Sequence, residues 1–322
     1  MRGAADIALD KVIRQHIAAV ERRVGNGAYA KEAAEIRRAA ALVSTLRNRL
    51  GLTTFRRTLN PGSSKPQFLL AFESPEHGNV ALKVYGRRRP DEAVVQRIWY
   101  QAGVATIEVL ASGNDPTSWL LMPEIPGQPP EPSEAVRLTP QVGQLVADSH
   151  HVSINQATRS LRAGVVHHLH AVLQAAVAHR YMLPRGWEKA ANAYESRGRI
   201  VALHGDLTVK NLLRDREGRL LMLDTCGYAG PPEFDAARWS ARAGGSHHAV
   251  ALLAIWLQAE PDLDSGHAQR LLGLEMLMEA GVREIVKDER HESWSERDEE
   301  TMRCIDLAAE LLACPKVTRW RS

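Results

Sequence analysis

Apolar positions divide the chain into stretches of different period. Near the N-terminus they recur at helical steps. Ile13, Ile17, Val20 and Val24 form one stripe, and Ala33, Ile36, Ala40, Val43, Leu46 and Leu50 form another after the break at Gly25-Asn26-Gly27. Two amphipathic helices are predicted, the second closed by Gly51 in the position of a C-terminal cap. From Thr53 the runs become short and strand-like, at 55–59, 67–72 and 79–85, and they predict a small antiparallel sheet. The stretch 60–66 joins the first two strands, and Pro75-Glu76-His77-Gly78 is a hairpin turn. A helix over 91–102 begins near Asp91, and a further strand is predicted at 119–122.

The segment 123–132 carries five prolines and Gly127, so it cannot continue a strand and reads as a hinge. Beyond it lie helical patterns over 138–150 and 160–180, a strand–loop–strand unit over 200–225, and mostly helix from 247 onward. The order predicts an α+β chain of two lobes. A helical pair spans 1–51, a small β-rich lobe 52–122, the hinge 123–132, and a helical lobe 133–322.

Composition narrows the class. With 44% apolar residues over 322 the chain can fill a substantial core, and no repeat or low-complexity tract is present. Lys plus Arg exceed Asp plus Glu by only 41 to 38, a field too weak to announce a nucleic-acid partner. Residues 1–50 hold ten Lys/Arg against five Asp/Glu, but Glu21, Glu32 and Glu35 interrupt the basic run and no aromatics interleave it. The helical stripes are therefore expected to pack on the small lobe or against a second copy as a homodimer. Cys226, Cys304 and Cys314 make no pair at metal spacing, and Asp6, Asp10 and Lys11 occupy the place of a signal-peptide core. No apolar run approaches a membrane span, so a reducing cytoplasm is the expected location.

The chemistry is concentrated in Leu203-His204-Gly205-Asp206, followed by Asn211 and then by Leu221-Met222-Leu223-Asp224. An Asp and an Asn five apart on a tight loop can aim a carboxylate at a substrate hydroxyl and an amide oxygen at a metal. A second Asp at the end of an apolar strand supplies a charged ligand, and magnesium, which prefers hard oxygen donors and keeps several waters, needs no more from the protein. Lys83 lies inside the apolar strand Val80-Ala81-Leu82-Lys83-Val84, where a buried ammonium requires a carboxylate or phosphate beside it. No Gly-x-x-x-x-Gly-Lys-Ser/Thr occurs, which excludes a P-loop enzyme.

These residues resemble the aminoglycoside phosphotransferase family of the protein-kinase-like superfamily, whose motif is His-Gly-Asp with an Asn five residues after the Asp. The run Thr225-Cys226-Gly227 through Asp235 is similar to the streptomycin-kinase and hydroxyurea-phosphotransferase branch. The resemblance covers about residues 55–310. It implies a two-lobed kinase-like fold, with Asp206 as catalytic base, His204 bracing its loop, Asn211 and Asp224 on magnesium, and Asp235 in a structural role. Lys83 would contact the α- and β-phosphates and Glu92 would hold it in place. Met122 would stand behind the adenine. If adenine bonds the backbone one and three residues later, Pro123 gives its C=O and Ile125 its N–H, so the proline is no obstacle. The stretch 60–65 has a single glycine, so Ser63 and Ser64 are expected to approach the phosphates through their hydroxyls and N–H groups.

The implied reaction is transfer of the γ-phosphoryl group of ATP, with GTP left open, to a hydroxyl of a small molecule. Streptomycin-like aminoglycosides come first as acceptors. Asp262, Asp264 and the acidic stretch 284–300 fall where the family builds its acceptor cleft, and they would suit a cationic substrate. A metabolite or sugar kinase and a nucleotide-binding scaffold with a partner-binding helical extension are the alternatives. A protein kinase is disfavoured, because Asp224-Thr225-Cys226-Gly227 stands where Asp-Phe-Gly would and no Ala-Pro-Glu follows. His167, His168 and His170, like His247 and His248, lack carboxylate or cysteine company and read as helix-surface or cleft residues; Cys226 reads as a packing residue.

Overall fold

The two N-terminal stripes are helices, α1 (Ala4–Val24) and α2 (Ala30–Arg49), in a computed structural model that describes residues 4–24, 30–60, 65–153, 159–177, 181–195, 198–289 and 298–313. The break predicted at Gly25-Asn26-Gly27 lies outside the described residues. Two compact units are formed, one of Met1–Arg97 with Ile107–Pro126 and one of Ile98–Thr106 with Gly127–Ser322.

In the first unit the strands β1 (Phe55–Thr58), β2 (Gln67–Ser74) and β3 (Gly78–Tyr85) are followed by the helix α3 (Pro90–Gln101), whose last turn falls to the second unit. After it come β4 (Ala111–Gly113) and β5 (Trp119–Pro123). The sheet is antiparallel in the order β1-β2-β3-β5-β4. Its apolar side chains Phe68, Leu70, Phe72, Val80 and Leu82 form one core with Leu9, Val20, Ile36, Val43 and Leu46 of the helical pair. Burial of each such side chain stabilises the unit by about 1.5–3 kcal/mol. The sheet of the same chain is thus what covers the stripes. The approach is tightest at Gly86, where a Cβ would stand 2.4 Å from that of Glu35 on α2. Arg47 closes the end of α2 by donating from Nη2 to the Thr53 carbonyl at 2.7 Å.

After Ile98–Thr106 the second unit continues with β6 (Gly127–Gln128), inside the proline-rich stretch that reads from sequence as a hinge. A two-residue ladder to Asp215 and Arg214 is possible there because it needs no N–H from the flanking prolines. The helices α4 (Ala135–His150) and α5 (Leu161–Val172) flank β7 (Arg159–Ser160), and α5 continues as a wider turn over Leu173–Val177. The short α6 (Trp187–Ala190) precedes β8 (Val201–Leu203), β9 (Leu212–Asp215), β10 (Leu220–Met222) and β11 (Tyr228–Gly230). These strands make two small sheets, β10-β9-β6 and β7-β11-β8. Three helices complete the unit, α7 (Glu233–Ala259), α8 (Ser265–Glu289) and α9 (Glu299–Ala313).

Helix α7 starts well before the helical pattern read from 247. Residues Glu233 through Ala241 are all buried, so this first part has no amphipathic period to betray it, and Gly245 at φ 54 kinks it where the legible pattern begins. Among the described residues no helix is long and apolar enough to cross a membrane.

Candidate active site

Lys83 sits on β3, the middle strand of the first unit's sheet, opposite Leu69 and Leu120. It is 1% exposed, and its ammonium donates to Glu92 Oε1 at 2.9 Å. Glu92 lies in the first turn of α3, where the helix dipole favours a carboxylate. Tyr85, two residues along the same face of β3, donates its hydroxyl to the other Glu92 oxygen, and its ring centre is 4.7 Å from the Lys83 ammonium. The buried charge therefore has a carboxylate and an aromatic face, which is what burial of an ammonium requires.

Met122 is buried on β5, and Gln96 of α3 reaches both the Met122 sulfur at 3.6 Å and the Ile107 carbonyl at 2.8 Å. Pro123 pairs opposite Val80 at the end of the ladder. The next N–H, that of Glu124, is spent on the Asn79 carbonyl at 2.9 Å, whereas among the described residues the Ile125 N–H makes no hydrogen bond. Ser63 and Ser64 lie outside the described residues.

In the second unit β8 delivers the chain into a turn held from behind. Asp235 of α7, fully buried, accepts the N–H of His204 on Oδ2 at 2.8 Å and that of Gly205 on Oδ1 at 2.9 Å. Gly205 has φ 79, and a Cβ there would meet the Tyr228 ring at 2.8 Å and Cys226 at 2.9 Å, so the turn admits only glycine. Asp206, half-buried, follows; its N–H donates to His204 Nδ1 at 3.4 Å. Asn211 closes the loop from the far side, its Nδ2 donating to the Asp206 carbonyl at 2.6 Å and to Asp206 Oδ2 at 3.3 Å.

Two backbone bonds fold the third residue onto this loop. Leu223 N–H donates to the Asn211 carbonyl at 2.9 Å and Cys226 N–H to the His204 carbonyl at 2.7 Å, with Asp224 between them. Asp224 has φ 59, a left-handed conformation that is uncommon outside glycine and marks a constrained position. These bonds hold the backbone on either side of Asp224 against the loop that carries Asp206 and Asn211.

Behind the loop stand residues that the motif does not name. His150, at the end of α4, has a wholly buried ring between Glu260 Oε1 at 2.9 Å and Asp235 Oδ2 at 3.3 Å. Burial alone would push its imidazole down, but hydrogen bonds and charge from the two carboxylates outweigh it and raise it to about 9. Burial likewise pushes the Asp235 carboxyl up, yet His150 and the Gly205 N–H hold it below the usual carboxylate value. Arg238, also on α7, pairs with buried Glu275 at 2.7 Å, and Glu275 accepts the Tyr194 hydroxyl at 2.9 Å. Against burial, the charges of Glu275 and then Asp206 raise Arg238 above its ordinary range. The sequence signal for these residues was weak: a His, an Arg and two Glu in helices or at their ends, with partners dozens of positions away.

The fold is protein-kinase-like, with an antiparallel sheet towards the N-terminus and helices towards the C-terminus. Residues 57–269, well over half the chain, match the model of the phosphotransferase enzyme family, APH, and the chain belongs to that family. Members of that family are phosphotransferases, and the chain is assigned that class. Among solved structures it is similar to a choline/ethanolamine kinase family protein from Mesorhizobium loti, at 16% identity and TM-score 0.56 over 85% of this chain and 96% of that one. The choline kinase LicA from Streptococcus pneumoniae matches at 13% identity and TM-score 0.58 over 85% and 99%. A thermostable mutant of the aminoglycoside phosphotransferase APH(4)-Ia, in a ternary complex with ADP and hygromycin B, matches at 15% identity and TM-score 0.56 over 84% and 98%. No curated protein sequence matches the chain.

Proposed function

We propose that the chain transfers the γ-phosphoryl group of ATP to a hydroxyl of a small molecule, with Asp206 as catalytic base. The observation that carries this reading is the Asp206 loop itself: Asn211 engages Oδ2 of the carboxylate while Asp235 holds the two preceding amides. Oδ1 of Asp206 is then the oxygen left to accept the proton of the acceptor hydroxyl as its oxygen attacks phosphorus and ADP leaves. Catalysis of this kind is mostly positioning and charge neutralisation.

The donor set fits magnesium. Asn211 spends its amide nitrogen on Asp206, so its Oδ1 is the atom offered to a cation, and Asp224 adds a carboxylate folded beside it. Bound magnesium would neutralise charge developing on the phosphates. Lys83, braced by Glu92 and Tyr85, is assigned to the α- and β-phosphates, and Ser63 and Ser64 to the same phosphates from the 60–65 stretch. Pro123 C=O and Ile125 N–H are assigned to adenine, with Met122 behind it, and His204 braces the catalytic turn. A similar fold, LicA, was solved with AMP, which supports an adenine nucleotide over a guanine one.

An aminoglycoside-like acceptor, of the streptomycin or hydroxyurea-phosphotransferase branch, is favoured by the run from Thr225 to Asp235, and an antibiotic-modifying role in the cytoplasm follows from it. Part of the acidic C-terminal charge is spent inside the protein: Glu284 accepts the Tyr181 and Thr301 hydroxyls, and Glu300 accepts the N–H and hydroxyl of Ser246. Asp262 and Asp264 remain candidates for steering a cation. A homodimer through α1 and α2 would use their outer faces, since their inner stripes are covered.

The test is a mass-spectrometric screen of aminoglycosides, other hydroxylated antibiotics, sugars, choline and ethanolamine with magnesium-ATP, read as a gain of about 80 Da for one phosphoryl group. Asp206→Asn is the control, and GTP runs in parallel. Nucleotide binding with no acceptor modified would favour the scaffold reading instead.

A further inference from the structure

We propose that His150 is a positioning residue for the phosphoryl-transfer loop: as an imidazolium clamped between Glu260 and Asp235, it fixes the Asp235 carboxylate on the amides of His204 and Gly205, and with them the place of Asp206. The inference rests on the role assigned to Asp206 above.

The chain of contacts is continuous. Glu260 stands at the end of α7, where its other oxygen accepts the Trp256 indole N–H at 3.2 Å, so it is itself held. Its Oε1 takes His150 Nδ1 at 2.9 Å; His150 Nε2 reaches Asp235 Oδ2 at 3.3 Å; and Asp235 divides its two oxygens between the two amides at 2.8 and 2.9 Å. Two carboxylate acceptors, one on each ring nitrogen, can both be satisfied only if both nitrogens carry protons. A neutral ring would donate to one carboxylate and turn a lone pair toward the other, with the ring and Asp235 wholly buried and Glu260 nearly so.

The remaining charged groups around the ring are few. Arg199 donates to the His150 carbonyl at 2.6 Å and contacts His151 Nδ1 at 3.3 Å, which anchors the end of α4 without touching the His150 ring. His204 faces Asp235 from the turn after β8. The ring is pushed up to about 9, so it carries its proton through the neutral range. The sign follows: a group raised in the folded state stabilises fully below its ordinary value and loses that contribution as pH rises through the folded value. The clamp should therefore be closed at neutral pH and open in mild alkali.

Histidine-selective NMR and amide hydrogen exchange on the whole chain test this without any variant. The His150 ring is expected to titrate near its raised value. Protection of the His204 and Gly205 amides, corrected for the intrinsic rate, is expected to fall about tenfold across the same pH step. His150→Gln, neutral at every pH, should show the low protection already at neutral pH with no step. Its turnover of magnesium-ATP without added acceptor should fall about tenfold in kcat with KM for the nucleotide little changed, because the loop and not the nucleotide contacts are loosened. A ring that titrates at the ordinary histidine value, or amides whose protection ignores the step, overturns the proposal. So does a folded His150→Gln with wild-type turnover and pH profile. A chain that shows the protection step but turns over no ATP at any pH sinks the role of Asp206 and leaves the clamp standing.

Discussion

The Lys83 pair of the first compact unit and the His150 network of the second are both buried, and they are built on different plans. In the first, Lys83 meets a carboxylate only nine residues further along the chain, with Tyr85 on the carboxylate's other oxygen. In the second, His150 lies between carboxylates 85 and 110 residues away, and one of these passes the connection on to two backbone amides. The first cluster centres on a short ion pair between neighbours in sequence, and removal of Lys83 leaves the Glu92 carboxylate buried without its cation. The second spreads its charge over a network in which Glu260 and Asp235 each have further partners. The contrast fits different tasks: one places a cation within a sheet, the other holds the backbone geometry of a turn.

Substitutions can break or sharpen this contrast. Asp206→Asn touches neither cluster and is expected to have the largest effect, a fall in phosphoryl transfer of about 10³-fold or more with little change in melting temperature. Steady-state kinetics on an acceptor found by the screen, beside calorimetry, would check it. Lys83→Met should lower activity by about 10²-fold and stability by about 3 kcal/mol, because Glu92 is left buried with only the Tyr85 hydroxyl. Urea unfolding reads the second number, and an unchanged midpoint would mean the pair is not closed in solution.

Asp235→Asn removes a charged acceptor from two amides and one carboxylate from His150. A stability loss of about 2 kcal/mol is expected, with activity falling in step, since the network shares the damage. Glu260→Gln keeps the shape and removes one charge, so stability at neutral pH should drop by about 1 kcal/mol. The loss of stability with rising pH should then set in at lower pH than in the wild type, because the His150 value moves back toward its ordinary one; unfolding curves across neutral to mildly alkaline pH would show it. At the small end, Arg303→Ala breaks a surface pair with Glu299 at 2.9 Å and should change stability by less than about 0.5 kcal/mol.

Much of the first unit was legible because its signals are local. The strands at Phe55–Thr58, Gln67–Ser74 and Gly78–Tyr85 are short runs whose composition differs from their surroundings, and the two helical stripes keep a clean period. That Lys83 needs a buried partner could be read from a charge inside an apolar strand, and the family resemblance pointed to Glu92. The second unit was legible at the His204–Asn211 loop and at Asp224, which lie on one short stretch. The ladder from Gly127 to Asp215 was hidden by the prolines around it, and the buried start of α7 by its lack of a polar face.

The sequence by itself determined which residues are the candidates for phosphoryl transfer, since an acid, an amide and a second acid at fixed spacing are a chemical statement that needs only a turn to bring them together. The tertiary structure decided what holds them still. His150, Asp235 and Glu260 come from three distant points, and a hydrogen bond between two of them exists only when α4, α7 and the turn after β8 are packed, because directional bonds between remote groups form no pattern along a chain.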